Sequence, residues 1–487
     1  MDPKHLVSLS IRGIEYFFHF HLMIALVSFG IVAALLRKHL KHIQYRLLSI
    51  DKVPFEQFKS PKVALIIPAF NEAEGILNSI NAALSSDYPN FEVIVFNDGS
   101  TDSTLQKIIT NYGLNPTREK PSSILSNTKV FSVYKSQKYK NLKVIDTAHS
   151  GKWDTMNWAF GYCDADFICG MDADSIITPE ALGKMIVKFI DEPNLVALGG
   201  AIIPSNEVII ENGKITRRKT SQPMFVGIQI IEYLRSFTSW RTGWSYLDGL
   251  MIIGGALTMF KKDAVIKAGG YKKESICEDF ELILSLHEYH LNNNLPYHIW
   301  TIPDVICWTR VPANRDQLKK QRIRWMWGAL QSISWHRNLA FTLKSRMIGW
   351  FSFPHLIFIE TLAPIIEFIG HVCFIAAILY GLLSYPSLII FGILVYMITG
   401  FYSWYSLAIN DYYMSSFTSL WQIIRLGLFG LIEPLGYRQR DAYWRMIAWW
   451  RWVTNKKPQI RYVLKFWTRK RLRFHVTLSF YWWLAGI

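Results

Sequence analysis

The sequence predicts an α/β domain built on a mostly parallel sheet, inserted between transmembrane helices and carrying amphipathic helices at the membrane interface. Three observations predict it. Hydrophobic residues make up 51% of the 487 and include 19 tryptophans, a profile too apolar for an ordinary cytosolic enzyme, and they concentrate at the two ends. Between about Pro61 and Ala340, short β-rich runs alternate with helical ones. Polar clusters follow those runs, where open parallel sheets place their ligands. Four regions result: 1–46, an N-terminal transmembrane helix with a basic flank; 47–340, a cytosolic α/β domain with interfacial helices; 341–440, transmembrane helices; and 441–487, a basic, Trp-rich interfacial segment.

The elements follow in chain order. Tyr16–Leu36 is 21 residues long, close to the roughly 20 that cross a bilayer as a helix, and has no small-residue cleavage site. The basic stretch from Arg37 to Arg46 predicts a cytosolic flank, and so a cytosolic middle domain. Val63–Pro68 and Phe91–Phe96 read as strands, Glu74–Leu84 as the crossover helix between them, and Lys143–Asp146 and Phe167–Met171 as two more buried strands. Beyond Arg346 the candidate spans are Met347–Ala363, Ile365–Leu383, Leu388–Ile409 and Leu420–Leu435. Pro354 and Pro364 count against the first pair, and Arg425 and Glu433 make the last costly, so either could be interfacial instead. Tyr443–Trp452 is expected along the membrane surface.

The net charge of +16 lies largely beside the apolar segments, as in Arg37-Lys38-His39-Leu40-Lys41 and Arg469-Lys470-Arg471-Leu472-Arg473. That placement suits anionic headgroups and the positive-inside rule, and no basic helix interleaves base-reading residues, so nucleic acid is not an expected partner. Five cysteines stand singly without metal-ligand spacing, which predicts reduced, packed thiols.

Five constellations carry chemistry. Asn97-Asp98-Gly99-Ser100 follows the second strand, and Asp98 there could accept hydrogen bonds from a nucleobase or ribose, or could belong to an ordinary capped turn. Met171-Asp172-Ala173-Asp174 closes a buried strand with two carboxylates; such a pair can hold a divalent cation, or be a solvated acidic turn. His149-Ser150-Gly151-Lys152 opens a helix where Lys152 suits a phosphate. Glu278-Asp279 starts an amphipathic helix as cap or as general base, and Cys277 before it reads as a packed thiol. Gln321, Arg324 and Trp325 stand at i, i+3 and i+4, so one helix face offers an amide, a guanidinium and an indole.

The order of these pieces, followed by membrane segments, resembles the membrane-embedded family 2 inverting glycosyltransferases: cellulose, chitin, hyaluronan and poly-N-acetylglucosamine synthases. The resemblance covers roughly Pro61 to Trp325 by motif and the flanks by layout. It implies a GT-A nucleotide-sugar domain and a β-linked product. It further implies Asp279 as catalytic base; Asp98, Lys152, Asp172 and Arg324 on the donor; Gln321, Trp325 and Glu278 on the acceptor; and Asp174 on Mg²⁺ or Mn²⁺. Gly254-Gly255-Ala256 takes the place of the family's acceptor-side loop, and Trp452–Lys456 faintly resembles a gating loop. The expected partners are a UDP-sugar donor, a glycan acceptor, the lipid bilayer and a small accessory membrane subunit. The expected location is the plasma (inner) membrane, multi-pass, with the catalytic domain cytosolic. The expected reaction elongates an exported polysaccharide processively. Transfer of a single sugar to a membrane lipid, as in ceramide glucosyltransferase-like proteins, is the alternative. A non-catalytic transporter or scaffold is more distant, because the ionisable cluster lies outside the apolar segments.

Overall fold

A computed structural model describes residues 60–454, apart from 123–125, 127, 207, 212, 219–222, 382–384 and 415–418. The expected N-terminal span Tyr16–Leu36 and everything from Asn455 onward lie outside the described residues.

Val63–Ala69 (β1) is apolar on both faces and almost wholly buried, as a central strand covered on both sides must be. Its neighbours, Phe91–Asp98 (β2) and Phe167–Met171 (β6), run parallel to it. Leu142–Thr147 (β5) is parallel to β2. Leu114–Thr117 (β3) and Val130–Ser136 (β4) extend that edge antiparallel. On the other side lie Leu257–Lys261 (β11), Leu195–Pro204 (β8), His298–Thr309 (β12) and the two-residue Ile176–Ile177 (β7). The ten-stranded order is β3-β4-β5-β2-β1-β6-β11-β8-β12-β7; Val208–Glu211 (β9) and Lys214–Arg218 (β10) form a separate hairpin.

The sheet is mixed, not mostly parallel as expected. Only β1–β2, β1–β6, β2–β5 and β8–β12 pair in parallel. Besides the antiparallel edge of β3 and β4, the departure lies at β11, which pairs antiparallel with both β6 and β8. The chain therefore enters β11 at the carboxyl end of β6, where the Asp172 N–H donates to the Ala256 carbonyl at 3.2 Å. Antiparallel entry brings the Gly254-Gly255-Ala256 loop to the carboxylates.

Pleating divides the strand side chains between two cores. Val63, Leu65 and Ile67 join Ile76–Leu84 (α1), Ala181–Asp191 (α4) and Met224–Leu234 (α5) on one face. Ala64 and Ile66 join Lys152–Tyr162 (α3) and Glu278–Asn292 (α6) on the other. Thr104–Tyr112 (α2) follows the Asp98 turn; it is Asp102, not Asp98, that accepts from the Thr104 N–H, at 2.9 Å.

Arg315–Trp335 (α7) starts at Asn314, whose side chain accepts the Gln317 N–H at 3.0 Å. Leu318, Arg322, Met326 and Leu330, spaced by four, form its buried stripe. Tyr437–Thr454 (α11) packs on that stripe through Ala448 and Trp452. Trp452–Thr454 are thus helical, and Trp452 is held against Met326 and Leu330, which corrects the gating-loop expectation for those residues.

Two expected spans, Met347–Ala363 and Ile365–Leu383, are in fact one helical run whose apolar length is Met347–Ala376. Pro354 and Pro364 each sit at the start of an α segment directly after a π-helical stretch, Met347–Ser352 and Leu356–Leu362. The altered hydrogen-bond pattern there accommodates a residue that lacks an N–H. Among the described residues this is the one helix long and apolar enough to cross a membrane by length and composition. Its last part, Ala363–Leu379 (α8), exposes Ile366, Ile369, Val372, Ile375 and Ile378 along one side. Tyr385–Met414 (α9) is 30 residues long, and Leu420–Ile432 (α10) only 13.

Candidate active site

The carboxyl ends of β1, β2, β5 and β6 converge on one edge because these strands are parallel. Asp98 ends β2 and is buried. Its Oδ1 accepts the Ser150 N–H at 2.8 Å, and its Oδ2 accepts the Gly151 N–H at 3.0 Å and lies 3.0 Å from His149 Nδ1. Asp98 therefore builds the turn that starts α3. The His149 ring in turn stacks on exposed Phe70, centroids 4.2 Å apart.

A cavity of about 810 Å³ opens beside this turn. It is lined by Lys152, Asp172, Asp174, Glu278, Asp279, Gln321, Arg324 and Trp325, so eight of the nine expected site residues meet in one space; Asp98 lies outside its lining. The expected Gln321/Arg324/Trp325 face is real, because all three turn towards the cavity. Among the described residues the Arg324 guanidinium has no ion-pair partner.

Lys152 does not stand as a free phosphate ligand. Its Nζ lies 2.7 Å from Asp172 Oδ1 and 3.2 Å from Glu278 Oε1. Burial alone would lower its pKa, but Asp172, Glu278 and Asp279 together hold it well above the ordinary lysine value. Lys152 thus ties the β6 carboxylate to the start of α6.

Glu278 and Asp279 occupy the first turn of α6, where no side-chain cap forms. The helix N-terminus favours their negative charge. Burial nevertheless raises Asp279 to about 6, with Glu278 adding to the rise and Lys152 opposing it. Its Oδ2 lies so close to Gly255 that a Cβ there would stand 2.3 Å from it. Only glycine lets this carboxylate approach the loop.

Asp174 is raised to about 6 by burial and by Asp172, and Thr309 Oγ1 donates to its Oδ1 at 3.2 Å. Glu72 nearby is raised to about 7, by burial first and then by Asp174. Carboxylates that hold one another's protons on are a donor set that a divalent cation would relieve. Among the described residues no group of three or more His, Cys, Asp or Glu converges as a metal cage. The set therefore fits an ion held by one or two carboxylates and completed by phosphate oxygens.

The Cys277 thiol packs into α7, where a Cβ on Gly328 would meet its sulfur at 2.3 Å. Burial pushes it up to about 12, with Asp279 adding, so it is the inert thiol expected.

Three features escaped the sequence reading. Arg322 is buried in the α7 stripe, 2.6 Å from Glu232 Oε2 and 3.6 Å from Asp441 Oδ1. Tyr437 donates to the same Glu232 oxygen at 2.9 Å, and Arg445 pairs with Asp441 at 2.8 Å, so α5, α7 and α11 are joined by charge. A lone acid inside the apolar run Met224–Leu234 was the available signal for Glu232. Thr309, at the end of β12, and Arg241, on the π-helical stretch Arg235–Arg241, also line the cavity without any local signal.

Residues 64–118 match the family model described as glycosyl transferase family 2, and residues 167–405 match glycosyl transferase family group 2. The chain is a glycosyltransferase with similarity to family 2. This glycosyltransferase is 26% identical over 322 residues to poly-beta-1,6-N-acetyl-D-glucosamine synthase of Staphylococcus epidermidis, a match spanning 66% of each chain. It is 26% identical over 333 residues to the synthase of that name from Staphylococcus aureus strain COL, spanning 68% of this chain and 69% of that one. In fold it resembles a mannosyltransferase from Pyrobaculum calidifontis solved with GDP-mannose and Mn²⁺, with a TM-score of 0.56 and 16% identity over 93% of this chain and 100% of that one.

Proposed function

We propose that the protein is a membrane-bound, inverting β-glycosyltransferase. It moves a sugar from a UDP-sugar to the hydroxyl of a growing polysaccharide, adds units processively, and passes the polymer out through its own helices. One observation carries this reading: a single cavity has Asp172, Asp174 and Asp279 in its wall together with Leu356, Ile359 and Tyr402 from the apolar helices. Acidic groups suited to a donor and side chains of the apolar helices line one space, which supports this reading. The staphylococcal relatives, named as polymer synthases, favour a polymer over a single lipid-linked sugar.

In this reading Asp279 takes the proton from the acceptor hydroxyl as it attacks the anomeric carbon from the face opposite the departing nucleotide, which inverts configuration. Its raised pKa makes it a stronger base than a surface aspartate. Gly255 and the start of α6 fix its place. Arg324 donates to the diphosphate as negative charge grows there. Lys152 holds Asp172 and Glu278 in register. Asp174, with Asp172, would hold Mg²⁺ or Mn²⁺, which when bound supplies positive charge to the leaving diphosphate. Asp98 supports the nucleoside end through the His149–Gly151 turn. Gln321, Trp325 and Glu278 face the acceptor. The apolar helices from Met347 onward hold the enzyme in the membrane as a multi-pass protein with the catalytic domain on the cytosolic side.

The test uses purified protein in nanodiscs with Mg²⁺ or Mn²⁺ and a panel of labelled UDP-sugars. A ladder of high-mass product that is lost in Asp279→Asn is the expected outcome. One sugar on a lipid and nothing longer overturns the polymer reading. Absence of turnover with every donor overturns catalysis.

A further inference from the structure

Beyond the carboxylates, the cavity wall holds a cation that the mechanism above does not use. Arg241 closes the π-helical stretch Arg235–Arg241, which also carries Ser236, Phe237 and Trp240 into the lining. Pi-helical insertions recur at functional sites because they re-aim side chains. The Arg241 guanidinium carbon lies over the Phe237 ring, 3.9 Å from its centroid, a contact that restrains the side chain. Among the described residues its guanidinium makes no hydrogen bond and no ion pair; Nη1 is buried without a partner in a residue that lines the cavity. Burial lowers it to about 10, with Tyr233, Asp279 and Glu360 opposing, so it stays protonated at neutral pH beside the proposed base.

A guanidinium with unused donors that shares a cavity with a general base and with Trp240 and Trp325 suits a carbohydrate: the donors can meet ring and hydroxyl oxygens, and an indole can cover a sugar face. The nearby carboxylates of Asp279 and Glu360 already balance its charge, which favours a neutral ligand over an anionic one. We propose that Arg241 is an acceptor-binding residue, hydrogen-bonding the terminal neutral sugar whose hydroxyl Asp279 deprotonates. This rests on the glycosyl-transfer reading and names the acceptor's chemistry within it. Arg241 touches the acceptor and not the donor, because the donor-side residues Lys152, Asp172 and Asp174 come from α3 and the end of β6.

The test is binding, measured by isothermal titration calorimetry on the full chain in nanodiscs with UDP present. The probe is a short β-1,6-linked N-acetylglucosamine oligosaccharide. Losing a charged hydrogen bond of this kind weakens binding by about ten- to a hundredfold. Arg241→Met is expected to raise the oligosaccharide Kd by that factor while the UDP Kd stays within about twofold, and Arg241→Lys is expected to fall between. An oligosaccharide Kd in Arg241→Met close to the parent's, or a parallel loss of UDP affinity, overturns the assignment. So does a parent that binds no oligosaccharide, or one that binds a terminally phosphorylated oligosaccharide far more tightly through Arg241, since that makes the residue an anion reader. If Arg241→Met does not fold, the Arg241→Lys shift decides alone. Oligosaccharide binding without sugar transfer by the parent would sink the functional reading and leave the Arg241 site standing.

Discussion

Replacing Gly255 by alanine tests the placement of the base without touching any ionisable group. A Cβ at this position would stand 2.3 Å from Asp279 Oδ2 and 2.9 Å from its Cγ, where ordinary van der Waals contact lies at 3.4–4 Å. Gly255 does not have a left-handed φ, so alanine adds no backbone strain and the whole effect falls on the carboxylate. Asp279 must retreat by about 1 Å, and a misplacement of that size costs on the order of a hundredfold in rate. In free energy that is about 2.7 kcal/mol of lost transition-state stabilisation. The crowding itself costs about 1–3 kcal/mol of stability. The assay pairs steady-state donor turnover with thermal unfolding of the same preparation. The expected result is kcat down by roughly a hundredfold, a donor KM near the parent's and a folded protein. A Gly255→Ala enzyme that unfolds like the parent yet keeps kcat within about threefold would refute the claim that Asp279 reacts from this position.

The remaining predictions follow the same geometry. Because Asp279 is raised to about 6 and must be ionised to act, kcat should fall about tenfold per pH unit below that value and level off above it; a profile flat down to about pH 4 removes Asp279 as the base. Asp174 is also raised to about 6, and protons compete with a metal for it, so the Mn²⁺ concentration giving half-maximal activity should rise as pH falls through about 6, which titration of activity with Mn²⁺ at several pH values measures. Arg322→Met leaves Glu232 buried without its 2.6 Å partner and should cost about 3–5 kcal/mol, while the double variant with Glu232→Leu should recover most of it; denaturation of the parent, single and double variants decides this. Cys277→Ser should keep kcat within about threefold, and native protein should label with iodoacetamide at no more than Cys373, since Cys163, Cys169, Cys277 and Cys307 are buried; mass spectrometry of labelled peptides checks both parts.

The parallel half of the sheet was legible because its strands are buried on both faces and so appear as unbroken apolar runs, as in Val63–Ala69. The other half was not. Leu195–Pro204 is buried at every position but carries Gly199 and Gly200, which weaken its strand signal; a Cβ on either would meet Ile253 or Ile306 at 2.3 Å. The direction of β11 is set by the connection that leads into it, which no residue within Leu257–Lys261 encodes. Site residues at strand ends and helix starts were legible for a related reason: Asp98, Asp172 and Asp279 follow apolar runs or begin them, so their position at the sheet edge could be inferred from the run.

Arg322 and Arg324 show where that inference stops. They sit two positions apart on α7, which on a helix turns them about 200° from one another. One therefore enters the buried stripe with Leu318 and Met326, and the other faces the cavity with Gln321 and Trp325. Periodicity ranked the cavity face correctly because Gln321, Arg324 and Trp325 share it. It gave no reason to bury an arginine in the opposite stripe, since the partners that make this favourable, Glu232 and Asp441, lie far off in sequence on α5 and α11. The two arginines divide the work of one motif. Arg322 anchors the helix to two neighbours, and that anchoring holds Arg324 on the face that lines the cavity. The consequence can be measured: in Arg322→Lys, which keeps the charge but loses the planar fork, the helix should loosen without unfolding. Its donor KM should then rise along with the loss in kcat, whereas a purely global loss of stability would lower the amount of active enzyme and leave KM unchanged.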